Sequence, residues 1–244
     1  MIREIIKKTI EWLVTIRLLV PFGKFINIAI NYAVLIKNGV VLYYDDPERS
    51  KVINLIKKIK LEVKLLMEIN EAYQVYMAVK NTKKIKGNIV EIGVYRGGSA
   101  KIICEAKEDK SLHLFDTFEG IPELSKWDTG DYHKGELQAS LKDVKSYLNK
   151  YRNVYFYKGL FPSTAKPIRN KKFSFVNIDV DIYESTLNCL KFFYTRMNPG
   201  GVIISHDYIN ENAAGVRKAF DNFFKDKPEP IIEISGSQCL IVKL

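Results

Sequence analysis

A change in the apolar pattern after Gly87 constrains the fold of this chain more than any other feature of its sequence. Beyond this residue, short apolar runs alternate with segments of helical spacing. Strands that alternate with helices form parallel βαβ units with right-handed crossovers. The sequence therefore predicts an α/β domain built on five parallel strands, over 88–92, 111–115, 153–157, 173–178 and 201–205.

Two more apolar runs follow near the end of the chain, over 230–234 and 239–242. The residues between them, Ser235-Gly236-Ser237 and Gln238, are too few for a crossover helix but suffice for a hairpin turn. We therefore predict a doubly wound, mostly parallel seven-stranded sheet that ends in an antiparallel hairpin. Ligands of such sheets bind at the carboxyl ends of the strands.

The first 86 residues are predicted to form a helical extension to the α/β domain, which covers residues 87–244. Two helices are expected over 2–37, separated by a Pro-Phe-Gly sequence that interrupts helical structure. A short apolar stretch follows over 40–44. Apolar residues then recur at helical spacing over 50–80, which predicts helix throughout that range.

The N-terminal forty residues are apolar, but they do not have the pattern of a membrane span or a secretory signal. Their longest charge-free run, 25–36, is too short to cross a bilayer, and Glu4 and Glu11 are not typical of signal peptides. Two interpretations stay open. These helices cover the domain or pair subunits of a homo-oligomer, or they form a basic amphipathic surface that rests on an anionic membrane. Either way the expected location is the cytoplasm, with or without contact at the inner face of the membrane.

The net charge of +10 is concentrated in the N-terminal third. Residues 1–86 carry 16 Lys and Arg and 8 Asp and Glu, whereas the remaining residues carry 22 and 20. A groove for nucleic acid needs basic residues around the functional site, so no nucleic-acid partner is expected.

Cysteine usage is typical of a reducing compartment. The three cysteines are odd in number and have no Cys-x-x-Cys spacing, which argues against a disulfide framework or a zinc site. We expect each to be a small buried apolar residue, and the three are Cys104, Cys189 and Cys239.

A glycine-containing segment links the first predicted strand to the next helix. The strand runs into Gly93, and the helix opens near Gly97-Gly98-Ser99. Glycine lets the backbone turn sharply and approach a ligand, while free N–H groups at a helix start favour a carboxylate or phosphate. The spacing is ExGxxxGGS without a following Lys, which excludes a P-loop. A tight strand–helix turn without a ligand is the alternative.

An acid lies where doubly wound folds bind ribose. Asp116 ends the second predicted strand, 18 residues after Gly98. A carboxylate can accept hydrogen bonds from both hydroxyls of a diol, so the residue type suits a ribose. The alternative is an aspartate that caps a helix.

Acidic side chains follow two further strands. Asp179 and Asp181 point to the same side if the chain is extended there, and His206 and Asp207 follow the next strand. Carboxylates that converge repel one another unless a cation lies between them or one is protonated. Three carboxylates and an imidazole are the make-up of a hard or borderline divalent cation site, although each residue alone could belong to a cap or turn.

Six segments in this order resemble the macrocin O-methyltransferase family (TylF type), whose members methylate sugar hydroxyls of natural products. They cover about residues 88–225, and DTFEGIP and DxDxYxST are not general methyltransferase features. The resemblance implies the Rossmann-like fold of class I methyltransferases. The segments are VEIGVYRGGS, LFDTFEGIPE, YKGLFPSTA, IDVDIYESTLNCL, MNPGGVIISHDY and GVRKAFDNFF.

The resemblance implies S-adenosylmethionine as cofactor. The glycine segment would line its methionine half, Asp116 would hold the ribose, and Thr117 and Phe118 would flank the adenosine. The implied cofactor-binding residues are Glu91, Gly93, Tyr95, Gly97, Gly98, Ser99, Asp116, Thr117, Phe118 and Gly159.

The resemblance also implies that Asp179 and Asp207 bind Mg²⁺ and that Asp181 is the general base. His206 stands where the family usually has an acid, so it is either a softer third ligand or itself a base. The implied acceptor is a sugar hydroxyl of a glycoside. A catechol or phenolic acceptor, or a cofactor-binding protein without catalysis, are the alternatives.

A segment over 122–135 is predicted to cover the site as a lid, with aromatic faces suited to a sugar. An ordinary surface loop is the alternative. The residues that suggest the lid are Trp127, Asp128, Tyr132 and His133.

Overall fold

The computed structural model of the protein describes residues 46–244. Seven strands form one sheet in the order β3-β2-β1-β4-β5-β7-β6. Their bounds are β1 Asn88–Ile92, β2 Leu112–Asp116, β3 Val154–Lys158, β4 Phe173–Ile178, β5 Met197–Ser205, β6 Ile232–Glu233 and β7 Cys239–Val242.

The predicted mixed sheet is confirmed. Strands β1 to β5 pair in parallel, and β7 pairs antiparallel with both β5 and β6. Two strands differ in length from the prediction. β5 begins at Met197, which pairs with Phe173 across a register shift. β6 is only two residues long, since Pro228 and Pro230 just before it have no N–H to donate to a neighbouring strand.

Helices cover both faces of the sheet, which confirms the doubly wound arrangement. One face packs on α1, α2, α3 and α4, and the other on α5 and α6. Neighbouring strand residues alternate between the two cores, as Leu114 and Phe115 do. The helices are α1 Pro47–Glu62, α2 Ile69–Asn81, α3 Gly98–Ala106, α4 Leu141–Tyr147, α5 Tyr183–Phe193 and α6 Ala214–Phe224.

The helix predicted over 50–80 is wrong in one respect, because the chain leaves the helix between α1 and α2. Glu68 caps α2 in a capping box with Glu71, and Lys60 Nζ donates to the carbonyl of Met67 at 2.7 Å. These bonds stabilise the start of α2 and the carbonyl of Met67 at the end of the break.

Residues 48–244 form one compact unit, so α1 and α2 pack with the sheet. The helices expected over 2–37 and the apolar stretch over 40–44 lie outside the described residues, and the membrane and oligomer interpretations stay predictions. Within 46–244, no helix combines the length and apolar character that a bilayer span requires. The three cysteines are buried, as predicted.

Candidate active site

A cavity of about 370 Å³ lies at the carboxyl ends of β1, β2, β4 and β5. It includes the position between β1 and β4 where the strand order reverses, which is where doubly wound sheets bind ligands. All four residues of the predicted catalytic and metal set line it: Asp179, Asp181, His206 and Asp207.

The structure brings most, but not all, of the predicted cofactor residues to this cavity. Glu91, Gly97 and Phe118 lie outside its wall. The predicted residues that line it are Gly93, Tyr95, Gly98, Ser99, Asp116, Thr117 and Gly159.

Gly93 lies where the carboxyl ends of β1 and β4 are in contact. Asp179 N donates to the carbonyl of Ile92 at 2.9 Å, and Gly93 has a φ of +85°. A Cβ atom on Gly93 would lie 1.7 Å from the carbonyl oxygen of Asp179. Only glycine fits, because the two strand ends are in direct backbone contact.

The start of α3 forms the adjoining wall. Gly97 is its N-cap in a left-handed conformation, and Gly98 and Ser99 line the cavity. The first N–H groups of a helix have no partner within the helix, so this wall offers hydrogen-bond donors to an anionic group.

Asp116 has a structural role that its position in the sequence did not reveal. Its Oδ2 accepts hydrogen bonds from Val94 N at 2.7 Å and Tyr95 N at 2.9 Å, and its Oδ1 accepts one from Phe118 N at 2.6 Å. Asp116 thus holds the glycine segment against β2. A carboxylate has about four acceptor sites, so capacity for a ligand hydroxyl remains.

Glu91 lies beneath the glycine segment and is fully buried. Asn177 Nδ2 donates to its Oε1 at 3.0 Å, and its Oε2 has no hydrogen-bond partner among residues 46–244. Burial raises the pKa of this carboxyl from 4.5 to about 8. Glu91 is therefore neutral over a pH range in which an exposed glutamate is ionised.

This burial predicts a pH-dependent stability. Between about pH 4.5 and about pH 8 the folded state keeps a proton on Glu91 that the unfolded state has lost, so stability falls as pH rises through this window. The limiting slope for one proton is about 1.4 kcal/mol per pH unit. Glu91→Gln removes this proton, and urea denaturation of the cofactor-free protein should show a shallower decline in the variant. Parallel curves for the two proteins would contradict the prediction.

The acid cluster is built by two strand ends in unusual backbone conformations. Asp181 and Asp207 have φ values of 61° and 63°, in the left-handed region that non-glycine residues rarely occupy. Such strain persists where surrounding structure enforces it, and it is common at functional sites.

His206 lies at the centre of the cluster. Its Nδ1 is 2.8 Å from Asp207 Oδ2 and 3.4 Å from Asp179 Oδ1, and its Nε2 is 3.1 Å from Glu71 Oε2. Glu71 belongs to α2, and the sequence analysis missed it because no motif surrounds it. Its one local signal, the capping box with Glu68, indicates a helix start and not a site.

The charges of the cluster shift one another's pKa values. Burial lowers the pKa of His206, but Asp179, Asp207 and Glu71 raise it to about 12. Burial raises the pKa of Asp179 to about 6. Burial, together with the carboxylates of Asp179 and Asp207, raises the pKa of Asp181 well above its usual range. Four carboxylates around one imidazole therefore cannot all be ionised without a further cation.

The donor set fits a divalent cation. One ligand atom from each of Asp179, His206 and Asp207 lies within 4.8 Å of the others. Ligands about 2.1 Å from one ion and at right angles to each other lie about 3 Å apart, close to the distances of Nδ1 from the two carboxylates. The excess of negative charge favours a cation in this place.

Pro122 and Tyr132 of the segment over 122–135 line the cavity. Trp127 instead packs against Tyr183 at 5.9 Å, and His133 is 78% exposed. Asp128 Oδ1 accepts a hydrogen bond from Tyr183 N at 2.7 Å, which anchors the segment at the start of α5. Of the four residues that suggested a lid, only Tyr132 lines the cavity.

A further part of the cavity lining comes from the break between α1 and α2, which the sequence did not predict as part of the site. Arg96 also lines the cavity. No motif marks these residues, because they reach the cavity through the packing of α1 and α2 on the sheet. The wall residues from the break are Lys64, Leu65, Leu66 and Met67.

Residues 68–240 match the sequence family described as Macrocin-O-methyltransferase (TylF). A 4'-O-methyltransferase of 8-demethyl-8-(2,3-dimethoxy-alpha-L-rhamnosyl)-tetracenomycin-C from Streptomyces olivaceus is 30% identical over 140 residues, 51% of this chain and 54% of that protein. Mycinamicin III 3''-O-methyltransferase from Micromonospora griseorubida is 28% identical over 142 residues, 51% of this chain and 56% of that protein. The chain spans about half the length of the curated relatives it matches.

Solved structures show the same fold at low sequence identity. The O-methyltransferase NovP superposes with a TM-score of 0.67 at 20% identity, covering 80% of this chain and 99% of NovP. The calicheamicin methyltransferase CalS11 superposes with a TM-score of 0.64 at 14% identity, covering 82% and 94%. The seven-stranded sheet of this chain is thus the class I methyltransferase fold.

Proposed function

Because this chain belongs to the macrocin O-methyltransferase family, we propose that it transfers a methyl group from S-adenosylmethionine to a hydroxyl group of a sugar in a glycoside or glycoconjugate. One observation carries the proposal: a glycine-lined wall and a carboxylate cluster share one cavity, and they meet where Gly93 contacts Asp179. Such a cavity can bind a nucleoside-bearing methyl donor and a hydroxyl acceptor side by side.

The cofactor fits along the glycine-lined wall. Its methionine carboxylate would bind the free N–H groups at the start of α3, near Gly98 and Ser99. Its ribose would lie at Asp116, and its adenine near Thr117 and Gly159. In this proposal Glu91, Gly97 and Phe118 shape the wall from behind it and do not touch the ligand.

Asp179, His206 and Asp207 would hold the divalent cation, for which the family resemblance implies Mg²⁺. When bound, such an ion lowers the pKa of an attacking hydroxyl and fixes its orientation. Side chains of the protein accept the proton and close the cavity. Asp181 faces the same cavity and accepts the hydroxyl proton, and Tyr132 closes the cavity on the acceptor side.

The reaction is an in-line displacement at the methyl carbon. The acceptor oxygen forms a bond to that carbon while the carbon–sulfur bond breaks, and the hydroxyl proton moves to a carboxylate oxygen of Asp181. The products are a methyl ether and S-adenosylhomocysteine. Positioning of the hydroxyl opposite the leaving sulfur is the main task of the cavity.

We expect the full-length protein to form S-adenosylhomocysteine when S-adenosylmethionine is mixed with a glycoside from a panel of deoxysugar and rhamnosyl compounds. Mass spectrometry of the acceptor should show a gain of one methyl group, and EDTA should lower the rate. Catechol and simple phenols serve as the comparison arm, and faster methylation of these would overturn the sugar assignment. Cofactor binding by calorimetry without transfer to any acceptor would indicate a non-catalytic protein.

A further inference from the structure

Glu71 is a buried glutamate on the first turn of α2, with 3% of its surface exposed. Its Oε1 accepts hydrogen bonds from Ser237 N at 2.7 Å and Ser237 Oγ at 3.0 Å. Its Oε2 accepts one from Glu68 N at 2.7 Å and contacts His206 Nε2 at 3.1 Å. Both carboxylate oxygens are therefore held in place from three directions.

This arrangement determines which nitrogen of His206 carries a hydrogen toward Glu71. An ionised carboxylate only accepts hydrogen bonds, so Nε2 must be the donor. The other ring nitrogen, Nδ1, faces Asp179 and Asp207 and lies 2.8 Å from Asp207 Oδ2, to which it donates its own hydrogen, so a bound cation would take the place of that hydrogen. A histidine that binds a metal commonly donates its second N–H to a carboxylate in this way.

We propose that Glu71 is a positioning residue that presents Nδ1 of His206 as a nitrogen ligand beside Asp179 and Asp207, so that the centre binds a transition-metal ion such as Co²⁺ more tightly than Mg²⁺. The inference rests on the cation site of the proposed function and specifies its chemistry. Mg²⁺ prefers an all-oxygen, largely hydrated octahedron, whereas imidazole favours the later first-row ions.

The surroundings of Glu71 also permit a purely structural role, because it joins α2 to the turn before β7 through Ser237. The two roles differ in what they affect. A structural glutamate contributes to folding stability alone, whereas a positioning glutamate also sets the affinity and the ligand environment of the bound ion.

The test uses calorimetric titration of the full chain with Co²⁺ alone and with Mg²⁺ alone, without cofactor or acceptor. We expect Co²⁺ to bind the wild type at least about tenfold more tightly than Mg²⁺. Glu71→Gln should weaken Co²⁺ binding by about 10- to 100-fold. Glu108→Gln makes the same chemical change at an exposed glutamate outside the cavity wall, and it should leave Co²⁺ affinity unchanged.

His206→Asp provides a second variant that does not depend on the folding of Glu71→Gln. It should reduce or reverse the preference for Co²⁺ over Mg²⁺ and change the visible absorption spectrum of bound Co²⁺, because a nitrogen ligand is replaced by oxygen. Thermal unfolding of each variant establishes that it is folded at the temperature of the titration.

Three outcomes would overturn the inference. They are equal affinity of the wild type for both ions, equal Co²⁺ affinity of wild type and Glu71→Gln, and a wild type that binds S-adenosylmethionine but neither ion. Failure of the proposed function can be distinguished from failure of this inference, because metal binding is measured without turnover. Selective Co²⁺ binding by a protein that methylates no acceptor would leave this inference intact and reject the transferase.

Discussion

The Asp181→Asn variant is expected to transfer methyl groups about 100 to 10,000 times more slowly than the wild type, the usual loss for removal of a general base. Asparagine keeps the shape of the side chain but cannot take the acceptor proton. Since Asp181 belongs to the acid cluster and not to the glycine segment proposed to bind the cofactor, affinity for S-adenosylmethionine should change little.

Single-turnover kinetics with a glycoside acceptor measures the rate, and calorimetry with S-adenosylhomocysteine measures cofactor affinity. Asp226→Asn makes the same chemical change at an exposed position beyond α6 and should match the wild type in both measurements. Loss of cofactor binding in Asp181→Asn, with the control unaffected, would show that Asp181 supports the cofactor and is not the base.

The Gly93→Ala variant is expected to lose about 3 to 5 kcal/mol of unfolding free energy, through backbone strain together with overpacking. Its new methyl group would lie 1.7 Å from the carbonyl oxygen of Asp179, so β1 and β4 must separate. Because the same contact joins the two halves of the cavity, we also expect cofactor binding to be lost.

Gly135→Ala is a matched control for the backbone contribution. Gly135 has a φ of +86°, nearly the same as Gly93, but the nearest atom to its added Cβ is Gln138 Nε2 at 3.6 Å. This variant should lose only the cost of a left-handed alanine, about 1 to 2 kcal/mol. Urea denaturation measures both variants, and equal losses would show that the contact with Asp179 is unimportant.

The acid cluster illustrates what residue type and strand order could predict. Asp179, Asp181 and Asp207 follow predicted strands, and parallel strands end at one edge of a sheet, so the sequence was sufficient to infer their convergence. The partner of His206 could not be inferred in this way, because Glu71 lies 135 residues away on a different helix. Sequence spacing carries no information about which helix packs against which strand end.

The glycine segment shows a second limit. Its position and the need for glycine at residue 93 could be predicted from the sequence, because a strand that runs directly into a helix requires a sharp turn. The side chains that reach the ligand could not be predicted in this way, and Glu91 and Phe118 lie outside the cavity wall. The direction of a side chain depends on the backbone angles of the turn and on the packing around it.

The sequence by itself determined the parallel sheet with its terminal hairpin, the glycine turn after β1 and the row of acids at the strand ends. These features follow from local periodicity, turn chemistry and the shared edge of parallel strands. Only the tertiary structure decided the wall contributed by the break between α1 and α2, the role of Asp116 as an anchor for backbone amides, and the contact of Glu71 with His206. Each of these depends on contacts between distant parts of the chain, which form only when the helices pack on the sheet.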